Sequence, residues 1–433
     1  MSRDFQKGGG EIVVEKILVV AHGHPDLSAG GAEHCAYSLF TELKKSPSIK
    51  ASFLAWTGKP AYERGGTPFS SFQGREDETI LFTHDFDHFL FSQKSDIFDE
   101  FADYLRHLAP DVIHLHHYTK IGLEFIALAR RLLPSVRIVL TLHEYLAICH
   151  NYGQMVKSDG RTLCYASSPQ DCTGCYPDIP PTEFLLRNKF IQSHFEMVDL
   201  FISPSEFLRR RYVDWGLPAD KILALDNATR SFRPLPPRPL GPSEGRAQFA
   251  FFGQINPYKG LLELLKAFEL MSQSAEAGRL NLRLVVHGAN LEYNKNEYVE
   301  AVTKALIRNA GRVHFAGPYR FEDLPRLMSA ADWVVVPSVW WENSPLVIEE
   351  ALAHKRPVLC SNIGGMAEKV VPGRDGYHFQ AGNPFDMAGT MLQLASNPEV
   401  WDRLYRSMRK PMSVAEWTER HLAIYASLQR TAA

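Results

Sequence analysis

Residues 337–351 read P-S-V-W-W-E-N-S-P-L-V-I-E-E-A, with Glu342, Ser344, Pro345 and Glu350 as the informative positions. A short apolar run, Trp333 to Val336, leads into this stretch and reads as a buried strand. Ser344 then predicts a helix N-cap, and Pro345 the first helical position, where a missing N–H costs nothing. Glu342 falls in the loop before that helix and Glu350 in its second turn. A helix N-terminus favours negative charge, because its unpaired N–H groups and its dipole point the same way. Carboxylates, by contrast, are good acceptors for sugar hydroxyls. The order carboxylate, helix start, carboxylate suits a ligand with a diphosphate between two polyols, as a nucleotide-sugar has. The plainer alternative is a capped helix carrying two solvated glutamates.

Downstream, Pro357 to Leu359 is another apolar strand running into Ser361-Asn362-Ile363-Gly364-Gly365-Met366-Ala367-Glu368, a second glycine-bearing strand-to-helix turn. In a doubly wound sheet such turns gather at the carboxyl ends of the strands, where ligands bind. The first stretch resembles the Glu-(seven residues)-Glu signature of retaining glycosyltransferases of family 4. Phe251-Phe252-Gly253-Gln254 with Lys259-Gly260 resembles the family's donor-phosphate strand and loop. Gly373-Arg374-Asp375-Gly376 resembles its late glycine turn, and Gly30-Gly31-Ala32-Glu33 its first glycine-rich loop. The resemblance implies an α/β protein of the GT-B fold, two Rossmann-like doubly wound parallel-sheet domains facing each other across a cleft. It implies a donor in the C-terminal domain and an acceptor in the N-terminal one.

Composition agrees with a globular chain of that kind. At 433 residues it is too long for one ordinary core. A net charge of −2, with 22% charged residues, excludes a nucleic-acid binder of the usual basic kind. Met1 to Gly10 is polar and glycine-rich, unlike a signal peptide, and no apolar run approaches a membrane span. The expected location is the cytoplasm, with the inner face of the membrane as an option.

Strands and helices alternate in two series. Lys16–Ala21, Val112–Leu115, Arg137–Leu142, Leu200–Ile202 and Ile222–Leu225 read as strands of the first, with a helix over 30–45. Ala247–Phe252, Leu282–Val286, Val313–Phe315, Trp333–Val336 and Pro357–Leu359 read as strands of the second, with a helix over 260–271. Between them Ser231–Glu244 holds too many prolines for helix or central sheet. The expected domains are 1–230, with a cysteine-containing insertion at 145–180; a linker at 231–246; and 247–412. A last helix, with Trp417, Leu422 and Tyr425 on one face, is expected by resemblance to pack back on the first domain as residues 413–433.

Site residues follow from strand ends and from the resemblance. Lys259, at a helix start after a strand, can reach a diphosphate. The family usually places an arginine near Gln254, so the neutral residue here leaves more to Lys259 and to backbone N–H groups, including those near Gly253. By resemblance Glu350 accepts from the ribose hydroxyls and Glu342 faces the donor sugar. Asn343, Ser344, Pro345 and Leu346 then line the sugar–phosphate edge. His287 and Gly288 end a strand at the nucleotide end, and Tyr319 is placed to meet the base. Gly30 and Gly31 allow close approach of a phosphate or sugar, or simply make a tight turn. His116 and His143 end neighbouring strands and would face the cleft. By resemblance His116 matches the histidine used near acceptor and donor sugar. The catalytic set is therefore His116, Glu342 and Lys259.

Cys149, Cys164, Cys172 and Cys175 fall within 27 residues and end in a C-x-x-C, which reads as a structural zinc site, as four unrelated thiols or as a disulfide pair. Arg209-Arg210-Arg211 is either a solvated helix face or a contact for an anionic membrane surface or a lipid-linked diphosphate acceptor. No Asp-x-Asp motif is placed at the expected cleft, so no catalytic metal or other cofactor is expected. The whole reads as a retaining, metal-independent hexosyltransferase. Its partners would be a UDP- or GDP-type sugar donor and a saccharide or lipid-linked acceptor, in bacterial polysaccharide or glycolipid biosynthesis. The alternatives are a nucleotide-sugar 2-epimerase of the same fold and a non-catalytic nucleotide-sugar-binding protein.

Overall fold

The structure, a computed structural model, describes residues 15–28, 30–230, 233–241, 244–274 and 277–428. Met1–Gly10 lies outside the described residues, as do Ser231, Phe232, Pro242 and Ser243 of the proline-rich segment.

The strands are β1 (Glu15–Ala21), β2 (Ile49–Thr57), β3 (Phe69–Ser71), β4 (Glu78–Phe82), β5 (Phe86–Asp87), β6 (Ser92–Gln93), β7 (Val112–Leu115), β8 (Arg137–Thr141), β9 (Leu200–Ser203) and β10 (Ile222–Ala224), then β11 (Gln248–Gln254), β12 (Arg283–Ala289), β13 (Val313–Gly317), β14 (Trp333–Val336), β15 (Val358–Ser361) and β16 (Gly376–Phe379). One sheet has the order β10-β9-β8-β7-β1-β2-β4-β3, and the other β13-β12-β11-β14-β15-β16. Every pairing in the second sheet is parallel. In the first, β3 runs antiparallel to β4, while β1, β2, β4, β7, β8 and β9 pair in parallel.

Two compact units divide the chain. The first comprises residues up to His143, Leu185–Ile202 and those from Thr418 on; the second comprises Glu144–Phe184 and Ser203–Trp417. The cysteine-bearing segment clusters with the second unit, where the linker alone would group it with residues 1–230. Local bonds account for this. The Tyr212 hydroxyl donates to the Glu144 carbonyl at 2.9 Å, and Trp341 Nε1 donates to the Cys164 carbonyl at 3.0 Å.

Strand β11 shows how the sequence builds the second unit. Successive side chains of a strand point to opposite faces. Phe249 and Phe251 enter a core with Leu264, Leu265 and Phe268, while Ala250 and Phe252 enter another with Ile348 and Leu352. Both faces are covered by helices, which is why the run is continuously apolar instead of alternating. Each fully buried large apolar side chain contributes about 1.5–3 kcal/mol.

Several elements were not anticipated. β2 (I-K-A-S-F-L-A-W-T) mixes Lys50 and Ser52 with apolar residues and gives no clean period, yet Phe53, Leu54 and Ala55 are fully buried between β1 and β4. β4 hides behind the charged run Arg75–Glu78, and β16 behind the glycine turn that precedes it. Strand partners on both sides, which local pattern does not encode, make β2 and β4 central.

The described part of the proline-rich segment has no helix or strand, and it is tied down. Arg238 Nη2 lies 2.8 Å from Oδ2 of the fully buried Asp332, which also accepts from Arg246 and from the Gln248 N–H. The last helix, Val414–Ser427, buries Trp417, His421 and Tyr425 at four-residue spacing, with Leu422 only partly covered. In the first unit the Tyr425 hydroxyl shares a 2.6 Å hydrogen bond with His114 Nδ1.

Candidate functional site

The loop after β14 carries the decisive residues of the second unit. Its helix spans Leu346–Ala353, with Pro345 at the N-cap position (φ −66°, ψ 117°) and no side-chain cap. This corrects the expected Ser344 cap. A residue preceding proline is pushed out of the helical region, so the helix starts later. Ser344 Oγ is buried and finds no hydrogen-bond partner among the described residues. It lies beside the helix start as an unspent donor and acceptor.

Two glycines let other elements close on this loop. Gly260 stands at φ 70°, before the helix Leu261–Ser272, and a Cβ there would lie 1.9 Å from the Pro337 carbonyl oxygen. Gly365 donates its N–H to the Glu342 carbonyl at 2.6 Å, and a Cβ there would lie 1.7 Å from the Asn343 oxygen. Any side chain at either position would push the loop away.

The closeness brings Lys259 to Glu342. Lys259 Nζ lies 2.6 Å from Glu342 Oε1, an oxygen that also accepts from Ser338 Oγ at 2.7 Å and Trp340 Nε1 at 3.0 Å. Burial works to raise the Glu342 pKa, but the Lys259 charge and these hydrogen bonds outweigh it and hold the carboxyl below its usual range. Asn256 fixes the lysine's turn, its side chain accepting from the Tyr258 and Lys259 N–H groups. The pair joins a buried carboxylate to a partly exposed ammonium. Ser338, Trp340 and Asn256 were not anticipated. Trp340 stands in the quoted stretch itself, and only its indole N–H, next to a carboxylate, would have marked it.

The residues expected at the nucleotide end also come together. Phe252 and His287 stack with ring centroids 4.8 Å apart, and Tyr319 meets both edge-on at 5.4 and 6.1 Å. Burial lowers the His287 pKa to about 4, helped by His314 and Arg326. Gly253 and Gly288 are paired neighbours at the ends of β11 and β12, and Gln254 is exposed. Burial raises the Glu350 carboxyl to about 7, against the opposing charge of Arg230, while Glu350 in turn helps raise Tyr319. Arg230 had no sequence signal. Adjacent Glu349 is buried in a bidentate pair with Arg409 at 2.6 and 2.9 Å, a structural role.

In the first unit Gly30 precedes the helix Gly31–Leu43 in an extended conformation. Glu33 is buried behind that helix start, accepting from Ser28 at 3.3 Å and standing 3.4 Å from His22. His116 is buried, and its Nδ1 lies 3.0 Å from Nε2 of the partly exposed His143. His114 and His117 are buried beside them. Burial and the neighbouring histidines hold His114, His116 and His117 well below the usual range, and His143 at about 3. The cluster is neutral near pH 7.

Cys149, Cys164, Cys172 and Cys175 all line one void of about 20 Å³. Among the described residues no three His, Cys, Asp or Glu side chains stand in metal-holding positions. Two of the three clustered arginines are spent inside the protein. Arg209 donates to the Ala219 and Ile222 carbonyls, and Arg211 donates to the Tyr165 carbonyl and covers Phe207, Tyr165 and Trp341. Arg210 is exposed. Among the described residues no helix is long and apolar enough to cross a membrane.

Residues 29–229 match the family model described as Glycosyltransferase Family 4, and residues 246–397 the one described as Glycosyl transferases group 1. A D-inositol 3-phosphate glycosyltransferase of Nocardioides sp. is 26% identical over 71% of this chain and 64% of its own length. A lipopolysaccharide 1,2-N-acetylglucosaminetransferase of Salmonella typhimurium is 32% identical over 41% of this chain and 48% of its own. The chain thus spans less than two thirds of these relatives. Among solved structures, Anabaena Alr3699/HepE in complex with UDP and glucose superposes with a TM-score of 0.61 at 16% identity, over 96% of this chain and 100% of that one. A sucrose-phosphate synthase from Thermosynechococcus elongatus gives 0.64 at 17%, over 96% and 99%. These two share the fold, which is GT-B with parallel α/β sheets in both halves.

Proposed function

This chain belongs to glycosyltransferase family 4, and from that premise we propose that it moves a hexosyl group from a nucleoside diphosphate sugar to an acceptor hydroxyl with retention of configuration. The observation that carries the reading is the Lys259–Glu342 pair, 2.6 Å apart beside the helix start at Leu346. As the bond to the departing diphosphate breaks, negative charge grows on its bridging oxygen. Lys259 and the helix N-terminus are fixed charges aimed at that oxygen, the preorganised stabilisation that lowers a barrier without reorganisation. Glu342 keeps the lysine in place and accepts from hydroxyls of the donor sugar.

Glu350 accepts from the ribose hydroxyls, and Tyr319, His287 and Phe252 form an aromatic wall for the base. The Anabaena neighbour is described with UDP and glucose, which favours a UDP-type donor, with GDP as the other candidate. The Salmonella relative's name favours a saccharide acceptor in polysaccharide or glycolipid assembly at the inner face of the membrane. By resemblance His116 is the histidine that serves the chemical step, and His143 shares a hydrogen bond with it at 3.0 Å.

The test is thermal unfolding against UDP, GDP, ADP and their sugars, since a ligand bound to the folded state raises the midpoint by mass action, followed by nucleotide release with saccharide acceptors. Product NMR reads the anomeric configuration, and chelator should leave the rate unchanged. Failure of every nucleotide to shift the midpoint would remove the reading. Conversion of the donor sugar alone, with no acceptor, would identify an epimerase instead.

A further inference from the structure

We propose that Cys149, Cys164, Cys172 and Cys175 hold one zinc-class divalent ion that cross-links the segment Glu144–Phe184, which in turn packs on the loop carrying Glu342. The four cysteines come from three separate pieces of chain and all line one void of about 20 Å³, room for a single water-sized sphere. Cys172 and Cys175 sit on the short helix Pro169–Cys175, where three-residue spacing puts both on one face. Ser168 caps that helix by accepting from the Asp171 N–H. Cys164 ends a hairpin pinned by a bridge between Val156 and Leu163, and its N–H donates to the Met155 carbonyl at 2.7 Å. Cys149 closes a turn on the Tyr145 carbonyl. Cys35 and Cys360 are buried elsewhere and take no part.

Four cysteines from three pieces of chain around one ion-sized space make the donor set of a closed, tetrahedral four-thiolate site. The four cysteines line the void, and among the described residues no three of their side chains stand at ligand positions. Loading therefore turns them inward, so that metal uptake and the ordering of this segment are one event, with protons released as thiols become thiolates. The segment buries Tyr145, Ile148, Met155, Val156 and Phe184, while Tyr152 and Tyr165 between and beyond them project into solvent at 82% and 62% exposure. It nevertheless meets the donor loop through a specific contact. The Cys164 carbonyl accepts from Trp341 Nε1, the Tyr165 ring meets the Trp341 ring edge-on at 5.1 Å, and Arg211 covers both. Trp341 is the residue before Glu342.

The test uses the full chain, expressed with added zinc and purified under reducing conditions without a metal-affinity step. Elemental analysis should find about one zinc per chain. Titration with a mercurial should release that zinc as four thiols react, with Cys35 and Cys360 still protected. Cys172→Ser should lose the metal. Should that variant fail to fold, the mercurial titration of the unmodified chain still decides. Protein with no more metal than a blank and four thiols reacting freely in the native state would overturn the proposal. So would two disulfides that resist alkylation until reduced.

Discussion

Lys259 Nζ stands 2.6 Å from Glu342 Oε1, although 83 positions separate them in the chain. One residue follows β11 and the other follows β14, and these strands are neighbours in the second sheet. The pair keeps a buried carboxylate ionised and an ammonium in a fixed place before any ligand arrives. On the proposed reading a diphosphate entering the site would compete with Glu342 for the same lysine, so each residue's effect on binding should depend on the other.

Lys259→Ala should weaken a nucleoside diphosphate by about 1.5–3 kcal/mol, as for a hydrogen bond to a charged group, and the monophosphate by less. Calorimetry with both ligands checks this. Equal losses would place the lysine away from the distal phosphate.

Burial raises the Glu350 carboxyl to about 7, and in the proposed role at the ribose only its ionised form can accept from both hydroxyls. Donor affinity should therefore rise as pH is raised from about 6 to about 8 and level off above. Glu350→Gln should flatten that profile, and Glu350→Ala should cost about 1.5–3 kcal/mol once the carboxyl is ionised. An unchanged pH profile in the glutamine variant would detach Glu350 from the ribose.

Gly365→Ala should be among the most damaging small substitutions. Its Cβ would lie 1.7 Å from the Asn343 oxygen, so the Glu342–Asn343 backbone must move. A loss of more than about 3 kcal/mol, or a folded protein with much weakened donor binding, is expected. Urea unfolding and nucleotide titration together separate the two outcomes.

The histidine cluster should make the protein acid-labile. His114, His116, His117 and His143 have folded-state pKa values below the unfolded 6.5. The unfolded chain thus binds more protons between those values, so stability is full above about pH 6.5 and falls as pH is lowered. His143, at about 3, alone removes on the order of 2 kcal/mol between about pH 7 and about pH 5. Glu350 acts in the opposite sense between 4.5 and about 7, but one carboxyl faces four imidazoles. Urea midpoints measured on either side of the unfolded histidine pKa read the sign directly.

His116→Ala should lower the transfer rate by a factor on the order of 10² while nucleotide affinity stays within a few-fold, the pattern of an interaction made in the transition state. His143→Ala should match it, and the double variant should be little worse than either, because the two rings are one hydrogen-bonded unit. Loss of affinity along with rate would assign the pair to the fold instead.

Much of the fold could be read along the chain because it rests on local period and turn chemistry. Ile17–Ala21, Trp333–Val336 and Phe249–Phe252 are unbroken apolar runs, and a parallel sheet covered on both faces requires such runs. The spacing of Glu342 and Glu350 around a proline-started helix likewise needs only residue order. Other features depend on partners distant in sequence. β2 and β4 are central only because strands flank them, and Ser344 loses its cap because Pro345 shifts the helix start. The ionisation of Glu342 hangs on Ser338, Trp340 and Lys259 arriving at one oxygen, and that of Glu350 on burial. Glycines 260 and 365 are permissive residues in the sequence. Only the folded chain, in which the Pro337 and Asn343 carbonyls fill the space a Cβ would need, makes them obligatory. Residue order determined which elements form; contacts across the sheet decided which side chains meet and what charge they carry.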